Sequence, residues 1–295
     1  NRKLSEEYYT KANKVISDMQ RESIFIRQKF SKSIYEFFRE FDPKDLEGKI
    51  DNQKGEGLIF VLGMPRSGTT LVESILSTAQ DLKPGGEKSF FSLQLFQNIT
   101  SLVNGNEIDL SLDFLNSLGD RYLEHIQSQR GESRFFVDKL PENYLYIQFI
   151  KLCLPGAKFI HCNRDPWDNA ISLFKQNYSI NIFYASSFFG IATEIANQEF
   201  LMNFWKQIYP KEDILTLNYE DLTANEMSSA EQIWKFFGLE GGYDPAKRKD
   251  YVGYTASMQQ VTKDVYTTSV GKDDFSAKKE EFISDLSNQR EFWQR

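Results

Sequence analysis

The sequence predicts an α/β fold, a parallel sheet flanked by helices on both faces, with an N-terminal helical arm. Three observations carry this. Short continuous apolar runs recur at 58–62, 135–137, 158–162 and 214–217, as expected of strands buried on both faces of a sheet. Helical periodicities separate these runs, at distances too long for hairpins, which implies βαβ units. Two of the runs pass through a short turn straight into a helix, at GMPRSGTT and at NRDPWDN.

Taken in order, residues 4–39 read as a helix. Tyr8, Ala12, Val15, Ile16 and Met19 recur at three and four, and Ile26, Phe30, Ile34, Phe37 and Phe38 continue the apolar face. FDPKDLEGKIDNQKGEG then breaks the pattern with Pro, Gly and charge and reads as a linker. An arm at 1–45 and a main domain at 57–295 follow. Within that domain Leu112, Leu115, Leu118, Tyr122 and Ile126 form one helical stripe. Phe189, Ala192, Ile195, Ala196, Phe200, Phe204, Trp205 and Ile208 form a second. Met227, Ala230, Ile233, Trp234 and Phe237 form a third, stopped by Gly238. These stripes, and Phe183, Tyr184, Phe188 and Phe189, read as core ahead of any ligand pocket.

The 295 residues are 40% hydrophobic and carry a net charge of −7. So acidic a chain argues against a general nucleic-acid or anionic-membrane binder, since both need a positive field. Its two cysteines, Cys153 near a helix end and Cys162 at a strand end, have neither metal-ligand spacing nor the number for a disulfide framework. No apolar run approaches the ~20 residues of a membrane span, and NRKLSEEYYT has no apolar signal core. A cytoplasmic location is expected, with any upstream targeting segment outside the sequence; a homodimer remains open.

The first chemistry-bearing site is GMPRSGTTLVESIL, residues 63–76. It follows a strand and opens a helix, the setting of a P-loop-type phosphate site. Gly63 and Gly68 permit backbone geometry that turns N–H groups toward one anion. The helix from Thr69 adds its positive end, and Thr69 and Thr70 add hydroxyls. The spacing is G-x-x-x-x-G, but Thr-Thr stands where a nucleoside triphosphatase has Lys-Ser or Lys-Thr, and Arg66 sits inside the loop. A single-phosphate donor end suits this better than a triphosphate with Mg²⁺, and no metal is expected. About a hundred residues later KFIHCNRDPWDNAISLF repeats strand, turn and helix, with Arg164 at the strand end, Pro166 at the helix start and Ser172 two turns in. Both loops should open on one crevice at the carboxyl ends of the strands, two anion sites suited to a nucleotide phosphorylated at two places.

This pair of motifs resembles the 5′-phosphosulfate loop and 3′-phosphate motif of sulfotransferases dependent on 3′-phosphoadenosine 5′-phosphosulfate (PAPS). Within that superfamily the resemblance is closest to protein-tyrosine sulfotransferases and to bacterial sulfotransferases that follow tetratricopeptide repeats. GGEKSF (85–90), VDKLPENY (137–144), LNYEDL (217–222) and YTASMQQVTKDVYTTSVGK (254–272) extend it. By that resemblance Arg66, Ser67, Gly68, Thr69 and Thr70 hold the 5′-phosphosulfate, and Arg164 and Ser172 the 3′-phosphate. Tyr219 lies near the adenine, and Ser257 to Tyr266 and Lys272 close over the nucleotide. One departure is Gln176, where tyrosylprotein enzymes carry a second basic residue one helix turn after the serine; it bears on affinity and geometry at the 3′-phosphate.

Sulfuryl transfer needs positioning, stabilised oxygens and removal of the acceptor's proton. The histidines, His125 and His161, read as structural. Glu87, after two glycines in PGGEKSF, is the candidate base, as the matching glutamate is in the tyrosylprotein family; its alternative is a cap on the next helix. By the same resemblance Lys139 stabilises charge on the oxygen bridging phosphate and sulfur, and Ser257 assists from the opposite side. The acceptor is a hydroxyl on a small molecule, sugar or peptide tyrosine, selected by residues within 88–130 and 176–200. Two other functions fit less of the pattern: a P-loop kinase of small molecules, and a non-catalytic nucleotide-binding interaction module whose arm recruits partners.

Overall fold

The computed structural model describes residues 2–46, 48–176, 178, 180–252, 270–271 and 274–295. Its centre is a five-stranded parallel sheet in the order β2-β3-β1-β4-β5. The strands are β1 (Leu58–Gly63), β2 (Leu82–Pro84), β3 (Phe135–Lys139), β4 (Lys158–Asn163) and β5 (Ile214–Asn218). Four of them coincide with the apolar runs. The fifth, β2, has three residues, one a proline, and only Leu82 is buried, so it carries no hydrophobic run to be read. Its place at the sheet edge tolerates Pro84, which has no N–H to give a neighbour.

Every residue of β1 is buried, and alternate residues feed two cores. Leu58, Phe60 and Leu62 join Phe136, Phe159 and Ile214 on one face; Ile59 and Val61 join Val137, Ile160, Leu215 and Leu217 on the other. The helices divide accordingly. In chain order they are α1 (Arg2–Glu40), α2 (Thr69–Leu76), α3 (Phe90–Gln94), α4 (Phe96–Val103), α5 (Leu112–Arg130) and α6 (Ile147–Cys153). After them come α7 (Pro166–Phe174), α8 (Phe188–Ile208), α9 (Tyr219–Ala224), α10 (Glu226–Phe237), α11 (Pro245–Arg248) and α12 (Lys279–Gln294). Helices α5, α6 and α8 cover the first face, α2 and α10 the second.

α1 packs on α8 and on the short 3₁₀ segment at 180–186. Ile34 and Phe38 enter the first core, and Tyr35 lies edge-on to Phe200, Phe204 and Trp293. A polar cluster fastens its middle: Arg27 bonds Glu194 of α8 at 2.9 Å and Glu142 at 2.8 Å, and the Tyr144 hydroxyl also donates to Glu194 at 2.5 Å. Around α7, α8 and α12 a third apolar cluster contains Tyr184, with Phe183 and Phe188 packed against it, as the core reading expects. No described helix is long and apolar enough to cross a membrane.

Candidate active site

Because all five strands run parallel, their carboxyl ends share one edge of the sheet, where open α/β sheets bind ligands. At that edge β1 delivers the loop 64–68 and β2 delivers Gly85, Gly86 and Glu87. Lys139 ends β3, Arg164 follows β4 and Tyr219 follows β5. Sequence segments more than a hundred residues apart meet there.

The β1–α2 loop has an unusual backbone. Gly63 (φ 145°) and Gly68 (φ 101°) both lie at positive φ, and so does Arg66 at 69°, a conformation costly for a side chain other than glycine. A Cβ on Gly63 would stand 2.3 Å from the Cys162 carbonyl, and one on Gly68 2.8 Å from the Tyr219 ring. Glycine is therefore required twice, for angle and for room. No side chain caps α2, the arrangement in which a helix N-terminus accepts an anion. The second motif holds the first in shape: the Arg164 Nη1 donates to the Arg66 carbonyl at 2.7 Å, and Asn169 Nδ2 to the Pro65 carbonyl at 3.0 Å. Pro166 occupies the first turn of α7, capped by Asp165, whose carboxylate accepts from the Asp168 N–H.

The loops of Arg66 and Arg164 are thus linked. Arg66 Nε donates to Ser172 Oγ at 3.1 Å, so the serine matched to the 3′-phosphate touches the arginine matched to the 5′ end. The Arg164 guanidinium lies 4.2 Å from the Tyr219 ring centroid, a cation–π stack that fixes both. Ser67 Oγ is buried and has no hydrogen-bond partner among the described residues. It lines, with Arg164, Asn169 and Gln198, a cavity of about 10 Å³ beneath the loop, room for one water. Thr69 and Thr70 are buried at the start of α2. Gln176 follows α7 and is half-buried. Ser257 and Lys272 lie outside the described residues.

On the other side of the crevice Lys139 Nζ bonds Glu87 Oε1 at 2.5 Å; the lysine side chain is 0% exposed and the glutamate 45%. Glu87 does not cap α3, whose N-cap is Ser89 with no side-chain bond. Its carboxylate is instead held at the crevice by a buried cation. Two further carboxylates stand close by. Glu73 of α2 is fully buried, accepts the Gly86 N–H at 2.9 Å and is raised by burial, against the pull of Lys139. Asp138 accepts the Tyr122 hydroxyl at 2.9 Å, and burial pushes its pKa up to about 7. The sequence reading had passed over Glu73 and Asn169. For Glu73 a signal existed, since it is the one acid in the otherwise apolar or hydroxylated turn LVESIL.

Neither histidine serves the crevice. His161 is buried between Gln198 (2.6 Å) and Lys206 (3.1 Å), and burial drops its pKa to about 3. His125 sits exposed on α5 against the Phe90 ring. Cys153 and Cys162 are free and buried, and burial raises both thiols.

A sequence model of the sulfotransferase family matches residues 59–245. An uncharacterized protein of Aquifex aeolicus (strain VF5) is 32% identical over 243 residues, covering 76% of this chain and 32% of its own length. Protein-tyrosine sulfotransferase 1 of Danio rerio is 24% identical over 189 residues, 62% of this chain and 53% of that protein. The chain therefore spans from about a third to about half the length of these curated relatives. In fold it is similar to the sulfotransferase domain of the Synechococcus PCC 7002 olefin synthase, with a TM-score of 0.55 at 17% identity, over 81% of this chain and 96% of that domain.

Proposed function

The chain belongs to the sulfotransferase family, and on that premise we propose that it transfers the sulfuryl group of PAPS to a hydroxyl acceptor. The observation that carries the proposal is the meeting, at one sheet edge, of the Arg66–Arg164 loops with the Glu87–Lys139 pair. The first half suits a polyanionic donor and the second suits proton removal beside a cation.

The residues fit a nucleotide with phosphate at two places. Ser67 brings a buried hydroxyl with no partner among the described residues, Gly68 leaves space that a Cβ would fill, and the loops of Arg66 and Arg164 are joined at the Arg66 carbonyl. Arg66, Ser67, Gly68, Thr69 and Thr70 would hold the 5′-phosphosulfate. Arg164 and Ser172 would hold the 3′-phosphate, with Tyr219 against the adenine. Bound there, PAPS supplies an activated sulfuryl group. Ser257 and Lys272 keep the roles that the resemblance implies.

Glu87 is the general base in this proposal. It reaches solvent while its inner oxygen is held by Lys139, so the outer oxygen can take the proton of an incoming hydroxyl. Lys139 would then meet the charge developing on the oxygen that bridges phosphate and sulfur, where its burial strengthens the interaction. The kinase alternative lacks support, because Thr69 stands where the phosphate-binding lysine would be. Danio rerio protein-tyrosine sulfotransferase 1 supports a tyrosine-bearing peptide as one acceptor class; a sugar or small alcohol presents the same reacting atom. The two free buried thiols support placing the chain in the cytoplasm, and residues 1–45 as an arm beside a 57–295 transferase domain complete the proposal.

Two measurements test it. The desulfated nucleotide 3′-phosphoadenosine 5′-phosphate (PAP) should stabilise the fold by about 2.7 kcal/mol at a hundred times its dissociation constant, whereas ATP–Mg²⁺ should not; the reverse pattern would sink the assignment. A screen with radiolabelled PAPS against tyrosine peptides, sugars and alcohols should show label transfer that survives chelation of divalent metal.

A further inference from the structure

We infer that Glu73 is a positioning residue for Glu87, acting through the backbone of Gly86; this rests on the base assignment proposed above. The Gly85–Gly86 turn has four polar backbone groups to satisfy on its way to Glu87, of which the Gly85 carbonyl accepts Gln129 Nε2 at 3.3 Å. The Gly85 N–H donates to the Val137 carbonyl at 2.7 Å, and the Gly86 carbonyl accepts the Lys139 N–H at 3.0 Å. Both continue the β2–β3 ladder. The Gly86 N–H turns the other way and donates to Glu73 Oε1 at 2.9 Å. The turn is thereby clamped between a strand and the helix that follows the phosphate loop.

The clamp has little slack. A Cβ on Gly85 would stand 2.3 Å from the Phe136 ring, and Gly86 adopts φ 68°. Peptide planes on either side of Gly86 set where the Glu87 side chain starts, and Glu87 then reaches Lys139 at 2.5 Å. Glu73 also faces Lys139, with Tyr251 and Glu87 near it. One buried ammonium therefore stands among the carboxylate that holds the turn and the carboxylate that does the chemistry. Every residue of α2 is buried, and burying an acid in such a helix is costly unless it is hydrogen-bonded and paired. Glu73 meets the first through Oε1 at Gly86 and feels the charge of Lys139, while its Oε2 is buried with no hydrogen-bond partner among the described residues; the Gly86 bond connects the phosphate loop's helix to the base.

A mutant cycle tests this. Glu73→Ala should lower kcat about 10-fold to 100-fold, the scale of a small misplacement of a reacting group, with PAP affinity within about twofold. In a Glu87→Gln background the same change should lower kcat no further, because the group it positions is gone. A structural defect would reduce both backgrounds equally, and that result overturns the inference. Glu73→Asp keeps the charge but withdraws the oxygen from Gly86; it should lose kcat even where the alanine variant does not fold. Wild-type kcat in Glu73→Asp also overturns the inference. Failure of the wild type to bind PAP, or full activity of Glu87→Gln, would instead remove the base assignment itself.

Discussion

The two halves of the crevice are built on different plans. The anion half is made of contiguous motifs: residues 63–70 carry two glycines, an arginine and hydroxyls, and residues 163–172 an arginine, a proline and a serine, each within one strand–turn–helix. Its parts hold one another through main-chain carbonyls, at Arg66 and at Pro65. The proton-removal half is assembled from single residues of four separate elements, Glu73 of α2, Glu87 after β2, Lys139 of β3, and Tyr122 of α5, which donates to the neighbouring Asp138. It is held by side chains and by charge. Binding an anion asks for many weak donors in one short segment, whereas moving a proton asks for a few groups whose environments differ.

The largest expected effect breaks the second half alone. Glu87→Gln keeps an oxygen for Lys139 but cannot take a proton, so kcat should fall about 10²-fold to 10⁴-fold while PAP affinity by calorimetry stays within about twofold. Loss of both together would merge the halves. Next, Arg164→Ala removes the donor to the Arg66 carbonyl and the Tyr219 stack at once. Charge-assisted bonds of this kind are worth about 1.5–3 kcal/mol, so PAP should bind roughly 10-fold to 100-fold more weakly, with the transfer step itself little changed in single-turnover measurements. Gly68→Ala is smaller. Its φ of 101° and the 2.8 Å approach to Tyr219 predict about 1–3 kcal/mol of strain, read as a lower denaturation midpoint and weaker donor binding.

The smallest effect on the intact protein concerns pH, because two opposed slopes offset each other there. Asp138 keeps its proton in the fold up to about pH 7 but loses it near 3.8 when unfolded. It makes stability fall as pH rises from 4 to 7, since the folded state then binds the extra proton. His161 acts oppositely. Its folded pKa of about 3 lies below its ordinary 6.5, so stability is lost as pH falls from 6.5 toward 3. The two slopes oppose each other across pH 4 to 6.5. Asp138→Asn should leave a profile that rises with pH over that range, and His161→Gln one that falls; urea midpoints at a pH series read both. Parallel profiles in the two variants would show that neither burial matters.

The same contrast explains what the sequence revealed. β1, β3, β4 and β5 were legible because strands buried on both faces leave unbroken apolar runs, and the phosphate loops because glycine, proline and arginine mark their turns within a few residues. Glu87 and Lys139 were recognisable through family resemblance, but their 2.5 Å contact was not, since it joins positions 52 apart in the chain. β2 escaped because an edge strand of three residues with one buried side chain has no period to detect. Glu73 escaped because its one cue, an acid in an apolar turn, does not tell which neighbours enclose it, and only packing shows that. Ser172 was placed on the right helix, yet its bond to Arg66 depends on how α7 lies against the loop.

One consequence concerns synthesis. Helix α1 finds some of its partners late in translation: Gln28 of α1 meets Gln289 of α12 across 261 residues, and the Phe275 N–H is received by Glu6. Until α8 and then α12 leave the exit tunnel, the 39-residue helix is packed only in part, on elements such as α4 and Phe149 of α6, and lacks Phe200, Phe204 and Trp293 against Tyr35. A premature stop before Lys279 would therefore leave α1 without its bond to Gln289 and without Trp293 against Tyr35.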